Sequence, residues 1–174
     1  DHITASAARF DFEKLRWVNA HYLKGADPRR LAAEVANRLS RRGVDPEACP
    51  ALEAAILCYR ERAATLEDLA DALVPICQPV HPSAELVAQH LDETARVALK
   101  GLTQRLVAIP PQAWSSEAVA KAMKETLAAC GIKMAKLGIP LRVALLGTTQ
   151  SPAIDQIVAL LGKEEVLRRL EQVL

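Results

Sequence analysis

One arginine, Arg142, interrupts an apolar stretch, and a possible helix start follows it at Ser151, within the sequence "PLRVALLGTTQSPAIDQIVALLG" (140–162). A guanidinium donates hydrogen bonds in a planar fork. The first turn of a helix presents free backbone N–H groups at the positive end of the helix dipole. Together these two features could form two sides of an anion-binding cleft. The alternative is two packed helices joined by a turn at Gly147, with Arg142 solvated on a helix surface.

A metal site is not predicted. Cys77 and His81 stand four residues apart, but the prolines around them make a regular helix unlikely, and no C-x-x-C pair supplies further ligands. Wide spacing and the lack of a secretory segment predict that the cysteines are reduced thiols in a cytosolic protein. These cysteines are Cys49, Cys58, Cys77 and Cys130.

The composition indicates packed helices. Hydrophobic residues make up 51% of the 174 residues and aromatic residues only 3%, so the apolar residues are mainly Leu, Ala, Val and Ile. No segment alternates with period two. We predict an all-α fold in two helical parts, residues 1–74 and 75–174, divided at the proline-rich "PICQPVHPS" (75–83). The net charge of +1 creates no global attraction to nucleic acid.

Capping residues predict where the helices begin. Asp11 precedes a helix on which Leu15 could also pack against Phe10, and Thr65 with Asp68 resembles a capping box. The other predicted starts are Asp27-Pro28, Ser83 and Ser115. The apolar face of the second helix consists of Leu31, Val35 and Leu39, and Gly43 ends that helix.

The second half of the chain is also predicted to be helical throughout. One long helix should extend from Ser83 towards Ile109, with Gly101 as its possible break, and another from Ser115 to Gly131. The last predicted helices are about 139–146, 152–161 and 163–173.

Both ends of the sequence resemble one family. The segment "SAARFDFEKLRWVNAHYL" (6–23) is similar to the helix that follows the catalytic domain in bacterial glutamyl-tRNA synthetases. Its matching residues are Arg9, Phe10, Asp11, Lys14, Leu15, Trp17, Asn19 and Tyr22. The segment "PLRVALLGTTQSPAIDQIVALLGKEEVLRRLEQVL" (140–174) resembles the closing segment of the same family. Two long matches in the family's order make the resemblance specific.

The resemblance implies the C-terminal anticodon-binding part of a glutamate–tRNA ligase. The family's full-length enzymes attach glutamate to tRNA using ATP and Mg²⁺. This chain lacks the His-x-Gly-His signature and the strand–helix alternation of their catalytic domain. We therefore expect RNA binding without catalysis, and no cofactor in this part. The segment "KMAKLG" (133–138) only superficially resembles the family's ATP-binding lysine loop.

The resemblance also implies candidate residues that contact the anticodon. Arg142 matches an arginine among the family's anticodon contacts. Arg62, in preference to Arg60, matches a second arginine that discriminates at the third anticodon base. Unstacked anticodon bases expose edges to which arginine can donate.

Further candidates lie near Arg142. Ser151 is predicted to cap a helix and to contact RNA. Ile154 matches an apolar family residue that packs against a base, although burial in the core is its ordinary role. Lys133 and Lys136 are expected to attract phosphates without reading sequence.

The expected partner is glutamate tRNA, through its anticodon loop and stem. Trp17 and Tyr22 are expected in the core or against the catalytic domain. The protein is expected to be a cytoplasmic monomer without a membrane contact. Two alternatives remain open: a helical protein–protein interaction module without RNA affinity, and a non-discriminating enzyme that also charges glutamine tRNA.

Overall fold

A computed structural model describes residues 11–174 of the chain, and within this range it contains helices and no strands. This confirms the all-α prediction. The predicted packing of Phe10 and the match at Arg9 lie outside the described residues. The helices are α1 (Phe12–Gly25), α2 (Pro28–Arg41), α3 (Leu52–Tyr59), α4 (Leu66–Cys77), α5 (Ala84–His90), α6 (Glu93–Ala108), α7 (Ser116–Cys130), α8 (Met134–Leu146), α9 (Ile154–Leu161) and α10 (Lys163–Glu171).

Several helix starts are confirmed by their capping hydrogen bonds. The Asp11 carboxylate accepts from the backbone N–H of Glu13 at 3.0 Å. Thr65 and Asp68 form a reciprocal capping box, in which each side chain accepts from the backbone of the other. Each such cap satisfies N–H groups that the first helical turn leaves without a partner. Asp27, Ser83 and Ser115 cap α2, α5 and α7 in the same way.

The apolar face of α2 is buried as predicted. Leu31, Val35 and Leu39 all lie in the core, where α2 packs against α3 and α4. The chain leaves this helix through Gly43, whose φ of +73° favours glycine.

The predicted long helix from Ser83 to Ile109 is wrong. The structure contains two helices there, α5 and α6, separated at Leu91 and Asp92. The Asp92 carboxylate accepts from the backbone N–H of Ala95 at 2.8 Å and so begins α6. Leu91 is buried in the core. The cap and the buried leucine together favour a break here over one at Gly101, which lies inside α6.

Pro75 was expected to end a helix and Pro140 to lie at the start of one, but both lie inside helices. Helix α4 continues past Pro75 to Cys77, and α8 begins at Met134 and passes through Pro140, instead of beginning near residue 139. Proline removes one intrahelical hydrogen bond. Burial of Ile76 after the first proline and of Leu141 after the second offsets that loss.

Helix α1 is mostly exposed. Trp17 and Tyr22 expose 71% and 72% of their surface, so the prediction that they lie in the core of this chain is wrong. Polar contacts attach the helix instead: Arg16 Nη2 donates to Asp68 Oδ2 at 2.9 Å, and Asn19 Nδ2 donates to the Ala64 carbonyl at 2.5 Å.

The expectation of four reduced thiols is wrong for one pair. Cys49 and Cys77 form a disulfide, whereas Cys58 and Cys130 are free. The bond places the loop before α3 against the end of α4. Spacing alone could not predict it, because 28 residues separate the two cysteines.

Between residues 11 and 174, no helix is long and apolar enough to cross a membrane. In the same range, no group of three or more His, Cys, Asp or Glu side chains could hold a metal ion.

The buried Arg169 connects three parts of the fold. Its guanidinium donates to the carbonyls of Pro75 and Leu145 at 2.6 Å and of Gln78 at 3.0 Å, while Nε donates to Glu165 at 2.6 Å. These carbonyls lie at or just beyond the C-terminal ends of α4 and α8, where backbone acceptors lack helical partners. Arg169 thus satisfies them and neutralises the negative ends of both helices.

The same contacts cross the predicted division of the chain. Buried residues from both sides belong to one hydrophobic cluster. The division at residues 74 and 75 stays a prediction.

We expect Glu165→Gln to reduce the free energy of unfolding by about 2 kcal/mol at pH 7, because a charge-assisted bond to buried Arg169 is weakened. Hydrogen bonds from Arg168 and Arg169 lower the pKa of Glu165 to about 2. The ordinary glutamate value is about 4.3. The stabilisation is therefore complete above that value and disappears as the pH falls towards 2.

Urea unfolding of both proteins at pH 7, 4 and 2.5 measures this difference. Glu164→Gln, an exposed neighbour, is the matched control and should change stability little at any pH. A Glu165→Gln effect of equal size at all three pH values would contradict the explanation.

Candidate nucleic-acid interface

Arg142 lies half-buried on α8, between two polar partners. Nε donates to the Ser151 hydroxyl at 2.9 Å, and Nη1 donates to the Gly138 carbonyl, one turn earlier in the helix, at 3.0 Å. The Ser151 hydroxyl in turn donates to the Pro152 carbonyl at 2.8 Å. The structure therefore brings Arg142 and Ser151 into direct contact.

Ser151 does not cap a helix. Helix α9 begins at Ile154, its N-cap is Ala153, and no side chain caps it. The Ser151 side chain is committed to Arg142 and Pro152 and is buried. Ser-Pro suggested a cap because both residue types are common at helix starts. Burial of the serine beside an arginine is a tertiary contact that this local pattern does not contain.

Arg62 lies near Arg142, although 80 residues separate them in the sequence. Burial lowers the pKa of Arg142, and the positive charge of Arg62 lowers it further. Arg60 instead directs Nη1 towards the carbonyl of Ala26, at 3.4 Å. Of the two arginines in the short 3-10 turn Arg60–Arg62, Arg62 is therefore the one whose charge acts on Arg142.

Neither Arg62 nor Arg142 forms an ion pair with a carboxylate in the described part of the chain. Other arginines do, among them Arg16, Arg38, Arg42, Arg105, Arg168 and Arg169. Two neighbouring cations without a counterion repel each other, and an anion between them would relieve that repulsion. This arrangement is suited to binding phosphate or base acceptors.

A residue that the sequence analysis missed, Gly138, lies directly against the Arg142 guanidinium. A Cβ built on Gly138 would lie 3.0 Å from Arg142 Nη1, so a side chain there would require the guanidinium to shift by a few tenths of an ångström. A glycine inside a helix four residues before an arginine was the available signal. The same spacing occurs at Gly101 and Arg105, where the corresponding distance is 3.6 Å and a Cβ would fit.

The other candidates lie in different surroundings. Ile154 is 5% exposed and belongs to the core. Lys133 and Lys136 are exposed at the beginning of α8. At about 100° per residue, Lys136 lies roughly 120° around the helix from Arg142. The structure thus does not place the lysines on the face that carries Arg142.

Ile154 begins α9, a helix that packs against the elements of the site. Helix α9 packs against α3, the helix that leads directly to Arg62, and also against α8. Tyr59, at the end of α3, is buried, and this burial raises the pKa of its hydroxyl to about 12. The core on which α8 and α3 pack therefore includes α9 and Tyr59.

Several known proteins are similar to this chain. A family model described as "Anticodon binding domain" matches residues 30–174. A glutamate–tRNA ligase from Azoarcus sp. (strain BH72) is 56% identical over 170 residues, which cover 98% of this chain and 36% of that protein. One from Aromatoleum aromaticum is 53% identical, with the same coverage. The chain thus spans about a third of the length of these relatives.

A solved structure has the same fold. The glutamate tRNA ligase from Elizabethkingia meningosepticum matches with a TM-score of 0.79 at 23% identity. The match covers 97% of this chain and 33% of that protein.

Proposed function

This chain belongs to the glutamate–tRNA ligase family, as its anticodon-binding domain, and from that premise we propose that Arg142 and Arg62 bind the anticodon loop of glutamate tRNA. The observation that carries the proposal is the proximity of two guanidinium groups without carboxylate partners in residues 11–174. Arginine suits an anticodon loop because it can both donate to base edges and stack on bases.

The roles of the other candidate residues follow from their positions. Ser151 contributes by holding Arg142, and Ile154 supports the site from the core. Lys133 and Lys136 add attraction to phosphates at the beginning of α8, without reading sequence. Arg62 discriminates at the third anticodon base, so the protein rejects glutamine tRNA.

The full-length protein attaches glutamate to tRNA, with ATP and Mg²⁺ bound in a catalytic domain that this chain does not contain. Helix α1 packs against that domain through exposed apolar side chains such as Trp17 and Tyr22, which are otherwise left in water. The protein acts as a cytoplasmic monomer. The chain divides into parts 1–74 and 75–174, and the site then takes Arg62 from the first and Arg142 from the second.

The alternative of a helical protein–protein interaction module finds no support in the comparisons. Binding itself distinguishes the two. A fluorescence titration at low salt compares glutamate tRNA with a transcript in which only the anticodon bases differ. Weaker binding of the altered transcript supports an anticodon reader, whereas equal binding of both contradicts it.

We expect Arg142→Ala and Arg62→Ala each to lose about 1–3 kcal/mol of binding free energy for the cognate transcript, because each removes donors to the anticodon. The same titration measures this loss, and far-UV circular dichroism should be unchanged. Arg105→Ala is the matched control, because its guanidinium already lies 3.9 Å from the Glu125 carboxylate. Cognate affinity equal to wild type in either variant would exclude that arginine from the site.

We expect Ile154→Ala to reduce the free energy of unfolding by about 2–4 kcal/mol, because it leaves a cavity in the core. Ile154→Val should cost only about 1 kcal/mol and leave cognate tRNA affinity within about two-fold. Thermal unfolding and the titration together measure both effects. A valine variant with native stability but much weaker binding would instead indicate direct contact between Ile154 and a base.

A further inference from the structure

We propose that Ser151 and Gly138 are positioning residues that hold the Arg142 guanidinium in one orientation, with a single edge open to the nucleic acid. The proposal rests on the proposed function, because it specifies how the same site distinguishes its ligand. Neither residue contacts the RNA directly in this account. Both act through Arg142.

The hydrogen bonds determine which edge of the guanidinium is open. Arginine has five N–H donors. Ser151 occupies the donor on Nε, and the Gly138 carbonyl occupies one on Nη1. One donor on Nη1 and both on Nη2 remain, with no partner among residues 11–174. Two of these point in parallel, so the open edge can bind two neighbouring acceptors at once.

Ser151 fixes one side of the guanidinium. Its hydroxyl donates to the Pro152 carbonyl, so an oxygen lone pair is directed to Arg142 Nε. Because the serine is buried, water cannot readily replace it as the acceptor. Without the hydroxyl, the long arginine side chain regains rotamers that turn the open edge away from a bound base.

Gly138 fixes the other side by leaving space. Glycine is unfavourable inside a helix compared with alanine, yet it stands in the second turn of α8. The 3.0 Å approach between a built Cβ and Arg142 Nη1 supplies a reason. The guanidinium lies across the glycine and bonds its carbonyl. An alanine would leave the helix intact but shift the end of the arginine side chain by a few tenths of an ångström, away from its present orientation.

The competing explanation is that the hydrogen bond between Arg142 and Ser151 only stabilises the fold, by joining α8 to the loop before α9. The electrostatics argue against it. Arg142 is half-buried, has no carboxylate partner within the described residues, and lies near the charge of Arg62. A charge in such a place opposes folding. A neutral side chain could form the same hydrogen bond to Ser151 without that cost.

The test measures selectivity between the two transcripts, which a hydrogen bond that only stabilises the fold would not change. Wild type, Ser151→Ala and Gly138→Ala are titrated with the glutamate tRNA transcript and with the anticodon-altered transcript, at several salt concentrations. We expect about ten-fold weaker binding of the cognate transcript by both variants and unchanged binding of the altered one. The salt dependence should not change, because neither variant alters the charge.

Gly101→Ala is the matched control for Gly138→Ala. Both replace a helical glycine four residues before an arginine, but the space at Gly101 accepts a Cβ. Gly101→Ala should raise the melting temperature, because alanine favours the helix and the added Cβ meets only ordinary contacts. Only Gly138→Ala should lose selectivity.

A double variant shows whether Ser151 acts through Arg142. In an Arg142→Ala background, Ser151→Ala should have no further effect on cognate affinity. An additional loss there would overturn the proposal. Should Ser151→Ala fail to fold, judged by circular dichroism, Gly138→Ala and its control decide the matter alone.

The outcomes separate the two proposals. If Arg142→Ala loses selectivity while Ser151→Ala and Gly138→Ala keep it, the positioning role is wrong and the proposed function stands. If wild type and Arg142→Ala bind both transcripts equally, the anticodon-binding function itself fails, and the positioning role fails with it.

Discussion

The buried guanidinium of Arg169 is the contact on which the arrangement of the helices depends. It satisfies carbonyls near the C-terminal ends of α4 and α8 from a residue on α10, and Glu165 balances its charge. Leaving one of these buried partners unpaired would cost far more than the net strength of a single hydrogen bond. The four bonds therefore constrain three helices at one point.

Arg142 shows what the same chemical group does when its donors are only partly occupied. Arg169 is 1% exposed and has partners on every nitrogen, including a carboxylate. Arg142 is half-exposed, has two partners, and lies near a second cation. The first arrangement is complete and stabilises the fold. The second leaves donors and charge available to a ligand.

The sequence predicted correctly those features that depend only on residues close together in the chain. The capping box of Thr65 and Asp68 and the buried face of α2 needed only spacing and residue type. The break at Asp92 was missed because an apolar residue, Leu91, precedes the cap and continues the helical pattern. Its burial depends on helices that come from other parts of the chain.

The residues around Arg142 were likewise predicted only in part from the sequence. The family resemblance selected Arg142 and Arg62, and in the structure the charge of Arg62 acts on Arg142. The capping role predicted for Ser151 was wrong, because its hydroxyl accepts from Arg142 on α8, nine residues earlier. Gly138 was missed, because the close approach that explains it exists only after folding. The disulfide between Cys49 and Cys77 likewise depends on tertiary position.

The net charge of +1 limits the electrostatic contribution to RNA binding by such a domain. Few phosphates can be neutralised without a large basic surface, so specificity has to come from a small number of well-placed donors. Arg62 and Arg142 belong to opposite sides of the predicted division at residues 74 and 75. The distance between them therefore depends on the junction of α4 and α8, where Arg169 bonds carbonyls of both helices. A ligand that binds both arginines would stabilise this junction, because binding to the folded arrangement alone shifts the equilibrium towards it.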